Sequence, residues 1–255
     1  MAIHPTAIVK SGAKLVDDAA VDEYAYIGSM AKIGRGCVIR HHATVDGRTT
    51  LGEGNIVHPY AYIGGLTHDL KYKGGEPGLE IGSGNVFREF CTVHASTNPE
   101  SSTIIGSGNT FLAYSHVAHD CVVGNYVVMS AQAALGGHVE VGDYANIGWS
   151  AGIHQFCRVG QYAMVGACSK VVQDVPPYML ADGNPSKVRY INILNLQRNG
   201  FSKAQINDAK RIFKIFYACG LNRQQAMDTL INEKVDSSLR ENVLTFISTS
   251  TRGFI

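Results

Sequence analysis

From Ile3 to Val171, every sixth residue of this chain is Ile, Leu, Val, Met or Phe, and the beat fails only at Asp69, Gly75 and Pro99. A helix repeats its apolar face about every 3.6 residues and a strand every second residue. Neither explains a period of six. A six-residue aliphatic repeat suits a parallel β-helix, in which each hexad forms one short flat side and its aliphatic residue points to the axis. Three sides make a triangular coil of about 18 residues, and the run is long enough for nine to ten coils.

The rest of the hexad agrees with a narrow prism. Gly follows the aliphatic residue repeatedly, as at Gly28, Gly34, Gly82, Gly142 and Gly160, where a positive φ or close backbone approach favours it. Two residues before the aliphatic stands a small residue: Ala at positions such as Ala25, Ala61 and Ala145, and Cys at Cys37, Cys91, Cys121 and Cys157. These cysteines have the spacing of the coil and no CxxC pairing, so they read as reduced core residues rather than disulfide partners or zinc ligands. The pattern resembles the left-handed β-helix of the hexapeptide-repeat transferases. The expected class is mainly β, a left-handed parallel β-helix followed by a small α-helical C-terminal domain.

Composition sets bounds. The chain has 255 residues, 45% of them hydrophobic, and 22 basic against 21 acidic groups. A large core is possible, no global field exists to hold nucleic acid, and no apolar run is long enough for stable membrane insertion. With no export leader in view, a cytoplasmic protein is expected.

The six-residue beat fades at Val175-Pro176-Pro177, and helical character begins near Arg189. Ser202 with Gln205, and Asn222 with Gln225, look like capping boxes. The first would open a helix striped by Ile206, Ala209, Ile212, Phe213, Phe216 and Tyr217 and ended by Gly220. A further helix is expected after Ser237. The solenoid is therefore placed at 1–187 and the helical domain at 188–255. Two stretches, 65–79 and 94–103, cannot be coil wall and are expected to bulge as loops, where solenoids often bind ligands.

Residues about 18 apart stack one above another, so His119 is followed upward by Gly137 and His138, then by His154 and Gln155. His116 belongs to the same coil as His119. None of them occupies an aliphatic slot, and an outward histidine column is a candidate site. His116 and His119 are only three apart with no clear third ligand, so no catalytic metal is expected.

The segments HDLKY (68–72), SHVAHDC (115–121), LGGHV (135–139), GIHQFC (152–157), QDVPPY (173–178), GNP (183–185) and STRG (250–253) resemble, in this order, the acyl-carrier-protein-dependent UDP-N-acetylglucosamine O-acyltransferases, first enzymes of lipid A synthesis. The resemblance spans nearly the whole chain. It implies transfer of a 3-hydroxyacyl group from a carrier-protein thioester to the 3-hydroxyl of UDP-N-acetylglucosamine by a homotrimer, with no cofactor. A sugar hydroxyl needs a base, and an imidazole with an ordinary pKa of ~6.5 suits that task. By resemblance, His119 is the general base, Asp120 orients it, and the Gly137 N–H stabilises the oxyanion. Further implied substrate contacts are His68, Asp69, Lys71, His116, His138, His154 and Gln155, with Asn192 and Arg198 for the nucleotide and Ala167 limiting acyl length. Basic residues such as Lys203, Lys210, Arg211 and Lys214 read first as a solvated helix face, with docking of the acidic carrier protein as the second reading.

The chain departs from better-known members at Leu194, where they carry an acidic residue, at Asn199, which replaces an arginine, and at His68, which replaces a glutamine. These changes bear on whether the acceptor is UDP-N-acetylglucosamine or an amine-substituted analogue. Two other readings compete with this one. The related N-acyltransferase of the same pathway carries an N-terminal uridine-binding domain, for which this chain has no room before Ile3, and a non-catalytic scaffold would have no need of His119.

Overall fold

The computed structural model describes residues 2–255. Short parallel strands, mostly two residues long, stack into sheets of 11, 9 and 8 strands, the three faces of a left-handed β-helix. The first face runs through Ala20–Val21, Thr110–Phe111 and Met164–Val165, the second through Ile8–Val9, His116–Val117 and Gly152–Ile153, and the third through Lys14–Leu15, Val122–Val123 and Arg158–Val159. Each aliphatic of the six-residue beat sits above its counterpart one coil below, as Val117 does on Val93 and Val123 on Ile105. Ile27, Ile39, Val117 and Leu135 are fully buried. Burying one such side chain stabilises by roughly 1.5–3 kcal/mol, so the axis is the core.

The small-residue slot also faces inward. Ala25, Ala145, Cys37, Cys91, Cys121 and Cys157 are completely buried, and all six cysteines are free. Burial pushes the Cys91 and Cys121 thiols up to about 12, which makes them inert hydrophobes. In one column the slot holds Asn55, Asn85 and Asn109, also fully buried. Hydrogen bonds link this column from coil to coil: Asn85 Nδ2 donates to Asn55 Oδ1 at 2.9 Å, and Val127 N–H donates to Asn109 Oδ1 at 2.7 Å, while Asn109 Nδ2 is buried without a partner.

Except at Gly64, whose φ is 87°, the glycine after the aliphatic is required by close approach rather than by φ. A Cβ on Gly34 would lie 2.4 Å from the carbonyl oxygen of Gly52 in the next coil. The left-handed backbone falls two residues later, at a position that tolerates large side chains. Tyr24, His42, Tyr60, Tyr114, Asp120, His138 and Phe156 all have φ between 52° and 64°. These are the corners of the prism, and their side chains project outward.

Both insertions leave the wall at the same edge, between the second and third faces. From Ile33 to Leu51 one coil takes 18 residues; from Leu51 to Ile81 it takes 30, and from Ile81 to Ile105 it takes 24. The loops therefore add 12 and 6 residues, whole multiples of the hexad, and the beat continues in phase beyond them.

Past Val171 the first face gains a parallel strand, Met179–Asp182, and then an antiparallel one, Lys187–Ile191. Helical structure accordingly starts at Ile193 rather than near Arg189. Four helices follow: α1 (Ile193–Arg198), α2 (Lys203–Tyr217), α3 (Arg223–Asn232) and α4 (Ser237–Ser248). Both capping boxes are formed, Ser202 with Gln205 and Asn222 with Gln225, and Asp236 caps α4. Ile206, Ala209, Ile212 and Ile215 of α2 pack with Leu230, Leu239 and Val243 in a second core. The closing STRG segment is a strap: Asp174 N–H donates to Gly253 O at 2.9 Å, and Ser250 Oγ donates to Asp174 Oδ2 at 2.7 Å.

Candidate active site

The edge that releases both insertions also carries His119, Asp120, Gly137, His138 and Phe156 in successive coils. Successive residues of a strand point to opposite faces, which on its own would separate His119 from Asp120. The left-handed φ of 60° at Asp120 turns its carboxylate back, and Asp120 Oδ2 lies 2.7 Å from His119 Nδ1. The second insertion supplies the rest of the cradle. Ser96 Oγ donates to Asp120 Oδ1, and the Thr97 N–H lies 3.2 Å from both carboxylate oxygens. Thr97 Oγ1 is 3.1 Å from His119 Nδ1. Burial alone would raise the Asp120 pKa, but the hydrogen bonds from Ser96, His119 and Thr97 together outweigh it and hold the carboxyl below its ordinary value. Asp120 is thus a fixed anion behind the imidazole.

With Nδ1 engaged by Asp120 and Thr97, Nε2 is the nitrogen His119 leaves free. Gly137 lies directly above the ring: a Cβ there would stand 2.4 Å from Cε1 and 2.6 Å from Nε2. Only glycine fits. His138 crosses His119 edge to face at 5.3 Å and stacks on Phe156 at 4.6 Å. A cleft of ≈ 560 Å³ opens here, bordered by Asp69, Lys71, Thr97, Asp120, His138 and Phe156. In the first insertion, Asp69 Oδ1 accepts the Lys71 N–H at 2.9 Å, which folds the loop tip into a turn.

Below the cleft three imidazoles cluster. His68 meets His94 at 4.0 Å between ring centroids, and His94 meets His116 at 4.9 Å. His116 Nδ1 is 2.8 Å from Thr92 Oγ1. Burial, then the His68 and His119 neighbours, lowers the His116 pKa. His94 is 6% exposed. Burial and the adjacent His116, His68 and His119 bring its pKa to about 4.

His154 and Gln155 stand higher on the same edge and are exposed. Ala167 lies on a different edge, between the first and second faces, exposed one coil above Trp149, whose carbonyl accepts the Cys168 N–H at 2.7 Å. Asn192 and Arg198 lie elsewhere. Asn192 Nδ2 donates to Tyr162 O, and Asn195 Nδ2 donates to Tyr144 O at 2.7 Å, which seats α1 on the edge between the third and first faces. One chain therefore does not gather the two residue sets into one cleft.

Arg48, Ser96, Thr97 and His94 were not picked out from sequence. Arg48 Nε donates to Glu76 O at 2.8 Å, and its NH2 group donates to Pro99 O at 2.9 Å, so one guanidinium ties the two insertions together. The signal available was the position of both loops on the histidine edge, one and two coils below His119.

Residues 174–255 match the family described as UDP N-acetylglucosamine O-acyltransferase, domain 2. The acyl-[acyl-carrier-protein]–UDP-N-acetylglucosamine O-acyltransferase of Thermodesulfovibrio yellowstonii is 40% identical over 252 residues, covering 98% of each chain. That of Syntrophobacter fumaroxidans is 41% identical over 257 residues, covering 100% of each. Among solved structures, LpxA from Acinetobacter baumannii superposes with a TM-score of 0.95 at 36% identity, over 99% of each chain.

Proposed function

We infer the reaction from one premise: this chain belongs to the acyl-[acyl-carrier-protein]–UDP-N-acetylglucosamine O-acyltransferases. It is an acyltransferase that moves a fatty acyl group from a carrier-protein thioester to UDP-N-acetylglucosamine. In the finer reading, His119 Nε2 takes the proton of the sugar 3-hydroxyl as that oxygen attacks the thioester carbonyl. The tetrahedral intermediate collapses, the carrier thiolate leaves, and it receives the proton back from His119. Asp120 holds the imidazole in the tautomer that leaves Nε2 free and stabilises the cation that forms. The single observation that carries this reading is the Asp120–His119 pair at 2.7 Å, which engages Nδ1 and leaves Nε2 to act as the base.

The Gly137 N–H, one coil above the base, is placed to donate to the oxyanion. Asp69, Lys71, His68, His116 and His138 line the acceptor side, with His154 and Gln155 along the acyl path and Ala167 meeting that path from a neighbouring subunit's edge. The acyl group is a 3-hydroxyacyl chain and the pathway that of lipid A. No cofactor is needed, because base, oxyanion donor and activated thioester account for the chemistry.

Asn192 and Arg198 serve the nucleotide from a neighbouring subunit. The separation of their edge from the His119 edge supports a homotrimer in which each cleft is shared. Among the described residues no helix is long and apolar enough to cross a membrane, in keeping with action in the cytoplasm on a soluble carrier protein.

The test is acyl transfer from a panel of 3-hydroxyacyl-carrier proteins to UDP-N-acetylglucosamine and to its 3-amino analogue, comparing the native chain with His119→Ala. A fall of about 10²- to 10⁴-fold, with the melting temperature and assembly unchanged, is expected. Equal rates in the two proteins would remove His119 from the mechanism.

A further inference from the structure

Asp69, His119 and His138 each offer one ligand atom, and these atoms lie within 4.8 Å of one another. They come from three separate segments: the first insertion, the coil of the AHD motif and the coil above it. We propose that this triad binds a single zinc-class divalent cation in the substrate-free protein, and that the bound ion switches the site off. Two imidazoles and a carboxylate are the donors that Zn²⁺ and Co²⁺ take in open, three-ligand sites.

The surroundings are those of a ligand set. A carboxylate behind a ligating imidazole fixes its tautomer and strengthens it as a donor, and Asp120 does this to His119 at 2.7 Å. The ring of His138 is held by stacking on Phe156 at 4.6 Å. Asp69 spends Oδ1 on the Lys71 N–H, which leaves its other oxygen for the cleft. Bonds of ~2.1 Å in a tetrahedron put ligand atoms about 3.4 Å apart, so closure requires a movement on the order of 1 Å. Asp69 rides on an insertion, the part of the site best able to move. Lys71 and Lys73 border the cleft and oppose a cation, which suits a reversible inhibitor rather than a permanent structural ion.

The consequence rests on the role proposed for His119: an ion on Nε2 occupies the lone pair that would accept the acceptor's proton. Ion and acceptor then exclude each other.

Calorimetric titration of Zn²⁺ into metal-stripped protein tests this. The exposed thiols Cys168 and Cys219 are replaced by serine so that they do not compete. One saturable equivalent is expected, weakened at least tenfold by Asp69→Asn, by His138→Gln and by saturating UDP-N-acetylglucosamine, and about 10- to 100-fold by Asp120→Asn acting from behind the ligand. Co²⁺ should show tetrahedral absorption bands that the same variants lose. Transfer should be inhibited with the midpoint of binding and restored by EDTA. Absence of saturable binding, binding indifferent to these substitutions, or full transfer with the ion bound would each overturn the proposal. A metal-free native protein that transfers no acyl group would instead remove the functional reading, and the titration would still decide the ion site.

Discussion

Along the edge between the first and second faces, Tyr24, His42, Tyr60, Phe90 and Tyr114 stack ring on ring at 4.9 to 5.1 Å. Along the edge between the second and third faces, the same left-handed corner position is held by Asp120, His138 and Phe156. The backbone is the same; the surroundings differ. On the first edge each projecting ring is satisfied by the ring below it, and the column is a stabilising ladder. On the second, two insertions interrupt the stacking, and the freed positions carry a hydrogen-bonded carboxylate and imidazoles around a cleft. In this fold a site arises where the corner ladder is broken and loops fill the gap.

The sharpest way to break that contrast is Gly137→Ala. The added methyl has no room beside the His119 ring and pushes the imidazole out of place, so transfer should drop by about 10²- to 10⁴-fold, the scale of losing a general base, while the melting temperature changes little. A smaller effect is expected from Arg48→Ala, which unties the two insertions without touching the coil. Each guanidinium-to-carbonyl hydrogen bond lost is worth roughly 1.5–3 kcal/mol. Steady-state kinetics should show the KM for the sugar nucleotide rising a few-fold, with kcat less affected; an unchanged KM would mean the loops hold their shape alone.

His94 tests the floor of the site by pH. In the unfolded chain its imidazole takes up a proton below about 6.5, but in the fold only near pH 4. Stability should therefore fall as pH drops from about 6.5 toward 4, and His94→Gln should flatten that slope in denaturant titrations followed across the window. The smallest change belongs to the ladder. Tyr60→Ala removes two stacks, each worth about 0.5–1.5 kcal/mol, and should lower the melting temperature without altering transfer.

The solenoid was legible because its period belongs to no other common structure, and because insertions of 12 and 6 residues leave that period in phase. The caps of α2 and α3 were legible for a different reason, their local chemistry at Ser202 and Asn222. The candidate site was only half legible as a geometric cluster. His119, Gly137 and His138 follow from the stacking of residues 18 apart, but the Asp120 contact depends on a left-handed φ that strand alternation does not suggest. Ser96, Thr97 and Arg48 act through loop geometry, which carries no period. The strand Lys187–Ile191 escaped notice because its antiparallel pairing to Met179–Asp182 is decided by tertiary contact rather than by its own residues.

The placement of Asn192 and His119 on different edges has a consequence for gene dosage. In the proposed trimer every subunit lends one edge to its own cleft and the other to its neighbour's. A chain carrying His119→Ala alone would silence one cleft in a mixed assembly. A chain carrying both His119→Ala and Asn192→Ala would silence two, and so would act as a partial dominant negative when co-expressed with the native protein.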